Sequence, residues 1–347
     1  MNVVRLSSLL CYNPAATEMS TFRALIAEGS GDGYTTRLGD IAEDALPPGD
    51  LLIEVAYSSL NYKDGLAVTG RGRIIRRFPM VCGIDLSGRV LSSQSPEFAA
   101  GDEILVAGQG LGETHWGGYS QRARVPASAA VKLPAGLNLK RAMAVGTAGF
   151  TAMLSLIALE DHGLTVGDRE VVVTGASGGV GSIAVALLAG HGYKVAASTG
   201  RVETHPYLRE LGAATIIDRA DLAKKSPPLA SERWAAAIDT VGGQTLASVI
   251  ASTAAYGAVA ACGLAGGADL PTTVFPFILR NVALLGINSV TPPAPLRARA
   301  WERLGHEAFV RKLDAIATLE PLSRIKDLSA QILDGGIRGR VVIDVNA

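Results

Sequence analysis

The run Val171-Val172-Val173-Thr174-Gly175-Ala176-Ser177-Gly178-Gly179-Val180-Gly181 constrains this chain more than any other stretch. Three valines read as a strand buried on both faces, and the glycines after them let the backbone turn sharply into a helix. The first N–H groups of such a helix have no intrahelical partner and sit at the positive end of its dipole, so a pyrophosphate fits against them. A glycine-spaced turn is a weak signal alone, and a tight turn holding no ligand is the competing reading. Its surroundings favour the first. A helix follows at residues 183–188, a second apolar strand at 194–197 and a helix at 207–211, with further apolar runs at 215–217, 236–238, 258–261 and 283–287. Strand and helix alternating at this spacing predict a doubly wound parallel sheet.

The end of the second strand selects the cofactor. Sites for NAD place an Asp or Glu there, about 20 residues on, to hold the ribose hydroxyls. Here the strand ends in Ser198-Thr199-Gly200-Arg201, and Glu203 lies past the tip. A carboxylate would repel a 2′-phosphate, whereas Arg pairs with one through two parallel bonds. NADPH is therefore expected, with a plain solvated charge as the alternative for Arg201.

Residues 22–131 have a different grammar. Leu51-Leu52-Ile53-Glu54-Val55-Ala56, Gly88-Arg89-Val90-Leu91 and Ile104-Leu105-Val106 are short strands divided by Gly-Asp and Gly-Gly turns. Residues 140–157 are rich in Ala and Met at helical spacing, broken by Gly146 and Gly149. Beyond Val290, a passage with Pro292, Pro293 and Pro295 leads into helices and a last strand at 341–345. That tail is too short for a domain of its own. We expect it to complete the N-terminal β region, so that a cofactor domain (143–287) is inserted in a β-rich domain (21–142 and 288–347).

Composition narrows the remaining classes. With 347 residues, about two domains are expected. Lys plus Arg and Asp plus Glu both number 32, so no global field favours nucleic acid or an anionic membrane, and an anion site must be built locally. Cys11, Cys82 and Cys262 are widely spaced, which argues against a disulfide framework and for a reducing compartment. No unbroken apolar run nears the length of about 20 residues that spans a bilayer. In residues 1–20, Arg5 precedes only Leu9-Leu10-Cys11, too short for a signal peptide core. We expect a disordered extension there, with a targeting segment as the alternative, and a cytoplasmic protein.

Several stretches together carry a family resemblance: Asn61-Tyr62-Lys63-Asp64, Gly83-Ile84-Asp85-Leu86-Ser87-Gly88, residues 174–181, residues 198–201, Ala261-Cys262-Gly263-Leu264-Ala265-Gly266-Gly267, Pro276-Phe277-Ile278-Leu279-Arg280-Asn281-Val282 and Gly339-Arg340. Along nearly all of residues 22–347 the chain resembles the medium-chain dehydrogenase/reductase superfamily. Within it, the chain resembles the quinone-oxidoreductase branch, and in particular the bacterial acrylyl-CoA reductases. The resemblance implies an α/β fold, a Rossmann domain inserted in a GroES-like catalytic domain. Zinc alcohol dehydrogenases of the superfamily hold their metal with Cys, His and Cys. Those positions fall at Asn61, Ile84 and near Ala148, none of which supplies a zinc ligand. No structural four-cysteine lobe is present, and the five histidines (His115, His162, His191, His205, His306) form no closely spaced pair. No metal is expected.

Reduction of an activated carbon–carbon double bond suits a site without a Lewis acid, because hydrogen-bond donors can hold the charge that develops on the carbonyl oxygen. The resemblance implies NADPH-dependent reduction of acrylyl-CoA to propionyl-CoA. A quinone or small enone reductase, and an NADPH-binding protein without turnover, are the alternatives. Candidate catalytic residues are Tyr62, Asn61 and Asp64, against the plainer reading in which Asp64 caps a helix and Tyr62 packs. The cofactor contacts implied by resemblance are Tyr62, Ser177, Gly178, Gly179, Val180, Thr199, Gly200, Arg201, Arg219, Leu264, Ile278, Ser289, Arg299 and Arg340, with Ser198 at the same strand tip. Of these, Arg219, Arg299 and Arg340 rest on resemblance alone. Arg71, Arg73, Arg76 and Arg77 lie in a Gly-containing loop and could meet the phosphates of coenzyme A, or simply be solvated. An apolar edge strand at 283–287 suggests a homodimer built by extending the sheet.

Overall fold

The computed structural model describes residues 20–30, 33–306 and 308–347. The extension read at residues 1–20 therefore lies almost wholly outside the described residues, and so does Cys11.

Eight strands precede α2 (Leu139–Asp161): β1 (Thr21–Ser30), β2 (Gly33–Ala42), β3 (Leu51–Leu60), β4 (Met80–Val81), β5 (Asp85–Ser93), β6 (Glu103–Ala107), β7 (Arg122–Val125) and β8 (Val131–Lys132). Six follow in the nucleotide-binding half: β9 (Glu170–Val173), β10 (Val195–Thr199), β11 (Ala213–Asp218), β12 (Trp234–Asp239), β13 (Thr253–Ala261) and β14 (Ala283–Gly286). Two more, β15 (Ala317–Pro321) and β16 (Arg340–Asp344), end the chain. The strands β9 to β14 form one parallel sheet in the order β11-β10-β9-β12-β13-β14. The order reverses between β9 and β12, and the crevice outside the carboxyl ends of those two strands is where such sheets take their ligands. Val171, Val172 and Val173 are all buried, as expected of a strand covered on both faces.

The C-terminal tail returns to the first region. β16 pairs antiparallel with β3 and parallel with β15, in a sheet ordered β15-β16-β3-β5-β6-β8, with β7 also on β3. β1, β2 and β4 form a separate antiparallel sheet.

Three helices position the site: α1 (Tyr62–Thr69), α2 (Leu139–Asp161) and α3 (Gly179–Gly190). α2 is shared by the two halves. Its buried residues join the core that holds α3, β9 and β10, while its first turns lie against β3, β5 and β16. It is interrupted at Gly146, where φ is 49° and ψ is −160°. Although no unbroken apolar run of that length is present, α2 is by length and composition the one helix among the described residues long and apolar enough to cross a bilayer. It is mostly buried inside the fold, with Phe150 stacked on Trp301 at 5.3 Å between ring centroids.

Candidate active site

The turn after β9 is shaped by contact. Gly175 has φ of 58°, and a side chain there would strike the Thr240 hydroxyl. A side chain at Gly181 would strike the Gly175 carbonyl, so only glycine lets α3 close onto the turn. Ala176 N donates to the Ser198 carbonyl at 3.0 Å, tying the turn to β10. Ser182 N donates to the Gly178 carbonyl at 2.9 Å and closes the first turn of α3. The amides of Gly179, Val180 and Gly181 therefore come before the helix's own ladder, and Gly178, Gly179 and Val180 are partly exposed at the crevice. This is a ready anion cradle, and it fits a pyrophosphate.

At the tip of β10, Ser198 and Thr199 are buried, and Thr199 Oγ1 lies 3.1 Å from Ser177 Oγ. Arg201 Nη2 donates to Ser177 Oγ at 2.8 Å and to its carbonyl at 3.2 Å, and Nε donates to the same hydroxyl at 3.3 Å. Its Nη1 donates to the carbonyls of Gly335 and Ile337 at 2.9 and 3.0 Å. Arg219 is exposed and lies directly over Gly200. Two guanidinium groups thus stand at the strand tip where an NAD site would place a carboxylate.

Further along the sheet, residues 261–264 and 286–288 line a cleft of about 480 Å³ at the ends of β13 and β14. Leu264 lines it, and Ser289 follows directly on Asn288 with its carbonyl against Gly108. Ile278 does not line it. It lies on the short helix Phe275–Arg280 beside the edge strand, 68% exposed.

Two arginines require correction. Arg299 pairs through both Nη atoms with the carboxylate of Asp161, at 2.8 and 2.9 Å. Asp161 is the last residue of α2, next to a pocket that includes His162, Arg169 and Ala235 at the amino ends of the parallel strands. Arg299 is therefore at the opposite end of the sheet from the crevice. The proline-rich passage before its helix had obscured that register. Arg340 is beside the crevice, behind Gly179, but only 2% exposed. Its Nε donates to Ala144 O at 3.1 Å, Nη1 to Leu60 O at 2.9 Å and Asn61 Oδ1 at 3.1 Å, and Nη2 to Ser59 Oγ at 2.8 Å and Met143 O at 3.5 Å. All five N–H groups are engaged, so Arg340 braces the wall of the site and has no donor left for a cofactor.

The Asn61–Asp64 segment is corrected in the same way. Asn61 caps α1 in a capping box with Asp64, whose Oδ2 accepts from Asn61 N at 3.0 Å and whose Oδ1 accepts from Ile84 N at 2.9 Å. Asn61 Nδ2 also donates to Asp85 Oδ2 at 2.9 Å. Asp64 is fully buried, and burial, followed by the Asp85 carboxylate, pushes it up to about 7. Neither Asn61 nor Asp64 faces the crevice as a proton donor. Together they fix Tyr62, the first residue of α1, which is 43% exposed.

Sequence reading did not name Asp85, Ser59 and Thr147 as site residues. Asp85 accepts from Ser59 Oγ at 2.6 Å, from Thr147 N at 2.9 Å and from Thr147 Oγ1 at 2.5 Å. A charged residue beside Ile84 and Leu86 at the start of an apolar strand was the available signal, since buried charges are retained only with partners. Asn61, the Ile84 amide and Thr147 all bond the carboxylates of Asp64 or Asp85, so these three pieces of chain converge on one hydrogen-bonded cluster. Among the described residues, no group of three His, Cys, Asp or Glu side chains is placed to hold a metal.

The basic loop follows α1. Arg71, Arg73, Arg76 and Arg77 are all exposed, and Arg71 Nη1 pairs with Asp334 Oδ1 at 3.2 Å. Asp334 directly precedes the segment that carries the carbonyls bonded by Arg201.

Residues 179–305 match the zinc-binding dehydrogenase family, and residues 47–135 match the alcohol dehydrogenase GroES-like domain. The chain is 49% identical over 329 residues to the acrylyl-CoA reductase AcuI of Ruegeria pomeroyi, covering 94% of this chain and all of that protein. It is 45% identical to the putative quinone oxidoreductase YhfP of Bacillus subtilis, covering 94% of this chain and 99% of that one. The oxidoreductase YhdH of Salmonella enterica, solved in complex with NADP, superimposes with a TM-score of 0.90 at 51% identity, covering 93% of this chain and 99% of that chain. The shared parallel sheet, glycine turn and returning tail, together with these matches over almost the whole chain, establish that it belongs to the medium-chain dehydrogenase/reductase superfamily.

Proposed function

We propose that this protein is an NADPH-dependent reductase of activated carbon–carbon double bonds, acting on acrylyl-CoA to give propionyl-CoA. The observation that carries the reading is the strand tip, where Arg201 and Arg219 flank Gly200 and no carboxylate intervenes. The exposed amides of Gly179 and Val180 and the Ser177 hydroxyl would hold the pyrophosphate, and the two arginines the 2′-phosphate. Bound there, NADPH supplies the hydride.

The chain's own residues supply orientation and charge stabilisation. Tyr62, held at the start of α1 by the Asn61–Asp64 cap and 43% exposed, would offer its phenolic O–H to the substrate. Such a donor stabilises negative charge growing on the thioester oxygen as the double bond is reduced. The cluster of Asp85, Asn61, Ser59 and Arg340 holds that wall rigid, since each partner is hydrogen-bonded to the others or to backbone. The exposed arginines at 71, 73, 76 and 77 suit the phosphates of coenzyme A. The name of the Ruegeria relative supports this substrate, and the Bacillus relative supports the second reading, an NADPH:quinone reductase.

The same reading places the protein in the cytoplasm, where NADPH and acyl-CoA thioesters occur together, and makes it a homodimer. The edge strand β14 exposes Leu284, and the helix beside it exposes Phe275, Ile278 and Leu279, an apolar face suited to a second copy. The test is NADPH oxidation with acrylyl-CoA, with a quinone and with no acceptor. Turnover confined to the quinone would overturn the thioester reading. Binding without turnover on either acceptor would make the protein a non-catalytic NADPH carrier.

A further inference from the structure

Arg201 is the group best placed to recognise a 2′-phosphate, yet each of its five donors bonds a protein acceptor. Three bonds go to Ser177 and two to the carbonyls of Gly335 and Ile337. Those carbonyls belong to the other half of the molecule, on a strap between the helix Ile325–Leu333 and β16. The strap is docked on the cofactor domain at two further points. Gly339 N donates to the Ser177 carbonyl at 3.0 Å, and Arg338 stacks over the Tyr207 ring at 4.6 Å.

We infer that the strap of residues 335–339 is a specificity element, whose Gly335 and Ile337 carbonyls compete with the cofactor's 2′-phosphate for Arg201. The inference rests on the NADPH reading above and concerns how that cofactor is told from NADH. A phosphate dianion adds ion-pair attraction and accepts two parallel bonds from one guanidinium, which neutral carbonyls cannot do, so it can take Arg201 from the strap. A ribose hydroxyl is neutral and cannot. NADH therefore binds with the latch still fastened and gains nothing from Arg201, whereas NADPH unfastens it. A ligand moves such an equilibrium only by its differential affinity for the two states, and here the difference resides in one phosphate. The released carbonyls pass to water, because Gly335 is at the surface. Release also reaches the substrate side. Asp334, at the root of the strap, pairs with Arg71 of the basic loop, so a loosened strap frees Arg71 for an incoming anionic substrate.

The experiment is hydrogen–deuterium exchange on the full chain with adenosine 2′,5′-bisphosphate, AMP, NADPH and NADH, with calorimetric titration of each ligand. The Gly339 amide and its neighbours should exchange about fivefold faster with the two 2′-phosphate ligands and stay unchanged with AMP and NADH. Equal protection with all four ligands, despite tighter binding of the 2′-phosphate pair, overturns the latch and leaves the NADPH reading standing. A bisphosphate that binds no tighter than AMP overturns that reading and the latch with it. A second variant acts on the strap alone. Ile337 is partly buried against the catalytic core, and Ile337→Gly weakens that anchorage. NADPH should then bind about fivefold tighter with NADH unchanged, because the competing carbonyls are held less firmly. Weaker NADPH binding in Ile337→Gly would mean that the strap supports the cofactor, and would reverse the proposal.

Discussion

Arg201 and Arg340 both stand beside the glycine-rich turn, one on Ser177 and the other behind Gly179, and each has all five guanidinium N–H groups engaged with protein acceptors. Arg340 is buried among acceptors from β3, from the cap of α1 and from the first turns of α2, so three pieces of chain depend on it at once. Arg201 is half-exposed, and its partners are one serine and two carbonyls on a surface strap. Counting hydrogen bonds does not separate them. What separates them is what could replace those bonds: nothing for Arg340, water or a phosphate for Arg201. The first builds the site and the second works in it.

The contrast can be broken most forcefully at Arg340. Arg340→Met leaves Asn61 and Ser59 short of a buried donor and Asp85 without its nearby cation, and should cost about 3–5 kcal/mol, read as a lowered urea midpoint. If Arg201→Ala lowers the midpoint as much, the distinction between builder and worker fails. Arg201→Ala should instead weaken NADPH about 10- to 100-fold while leaving NADH nearly unchanged, as expected for one or two charge-assisted hydrogen bonds. Equal losses for both cofactors in a titration would remove the phosphate assignment.

The buried cluster also has a pH signature. Asp64, pushed up to about 7, keeps its proton in the fold over a range where the unfolded chain ionises. The stability this contributes is complete below the ordinary carboxylate range and is lost as pH rises toward 7. Asp64→Asn should flatten that stretch of the stability curve, measured as urea midpoints against pH. An unchanged slope would show that Asp64 is not the titrating group. The smallest effect belongs to the outer loop. Arg71→Ala should raise the KM for the acyl-CoA about two- to fivefold at low salt and leave quinone reduction alone, since exposed pairs are weak and screened.

The sheet was legible because its signals are local: three valines, a glycine turn, and apolar runs at regular spacing. The cofactor preference was legible for the same reason, because Ser198-Thr199-Gly200-Arg201 is contiguous with the strand that presents it. Other features depended on distant partners. The Asn61–Asp64 cap could be read, but its link to Asp85 and Arg340 joins residues 24 and 279 positions apart. Arg299 was misplaced because only packing shows that its helix lies against the far end of α2. The strap's hold on Arg201 gave no signal, since it acts through the Gly335 and Ile337 backbone carbonyls, which every residue has.

The place of β16 has a consequence for how the chain matures. It lies between β3 and β15 and delivers Arg340, yet it is made after every other strand. While a ribosome is still working through the cofactor domain, residues 57–60 of β3 lack their partner strand, and the two carboxyl groups near α1 await their cation. The N-terminal half can thus collapse early but can lock only when synthesis has passed residue 344. A nonsense mutation that removes residues 340–344 should be felt first more than two hundred residues upstream, around β3 and the start of α1.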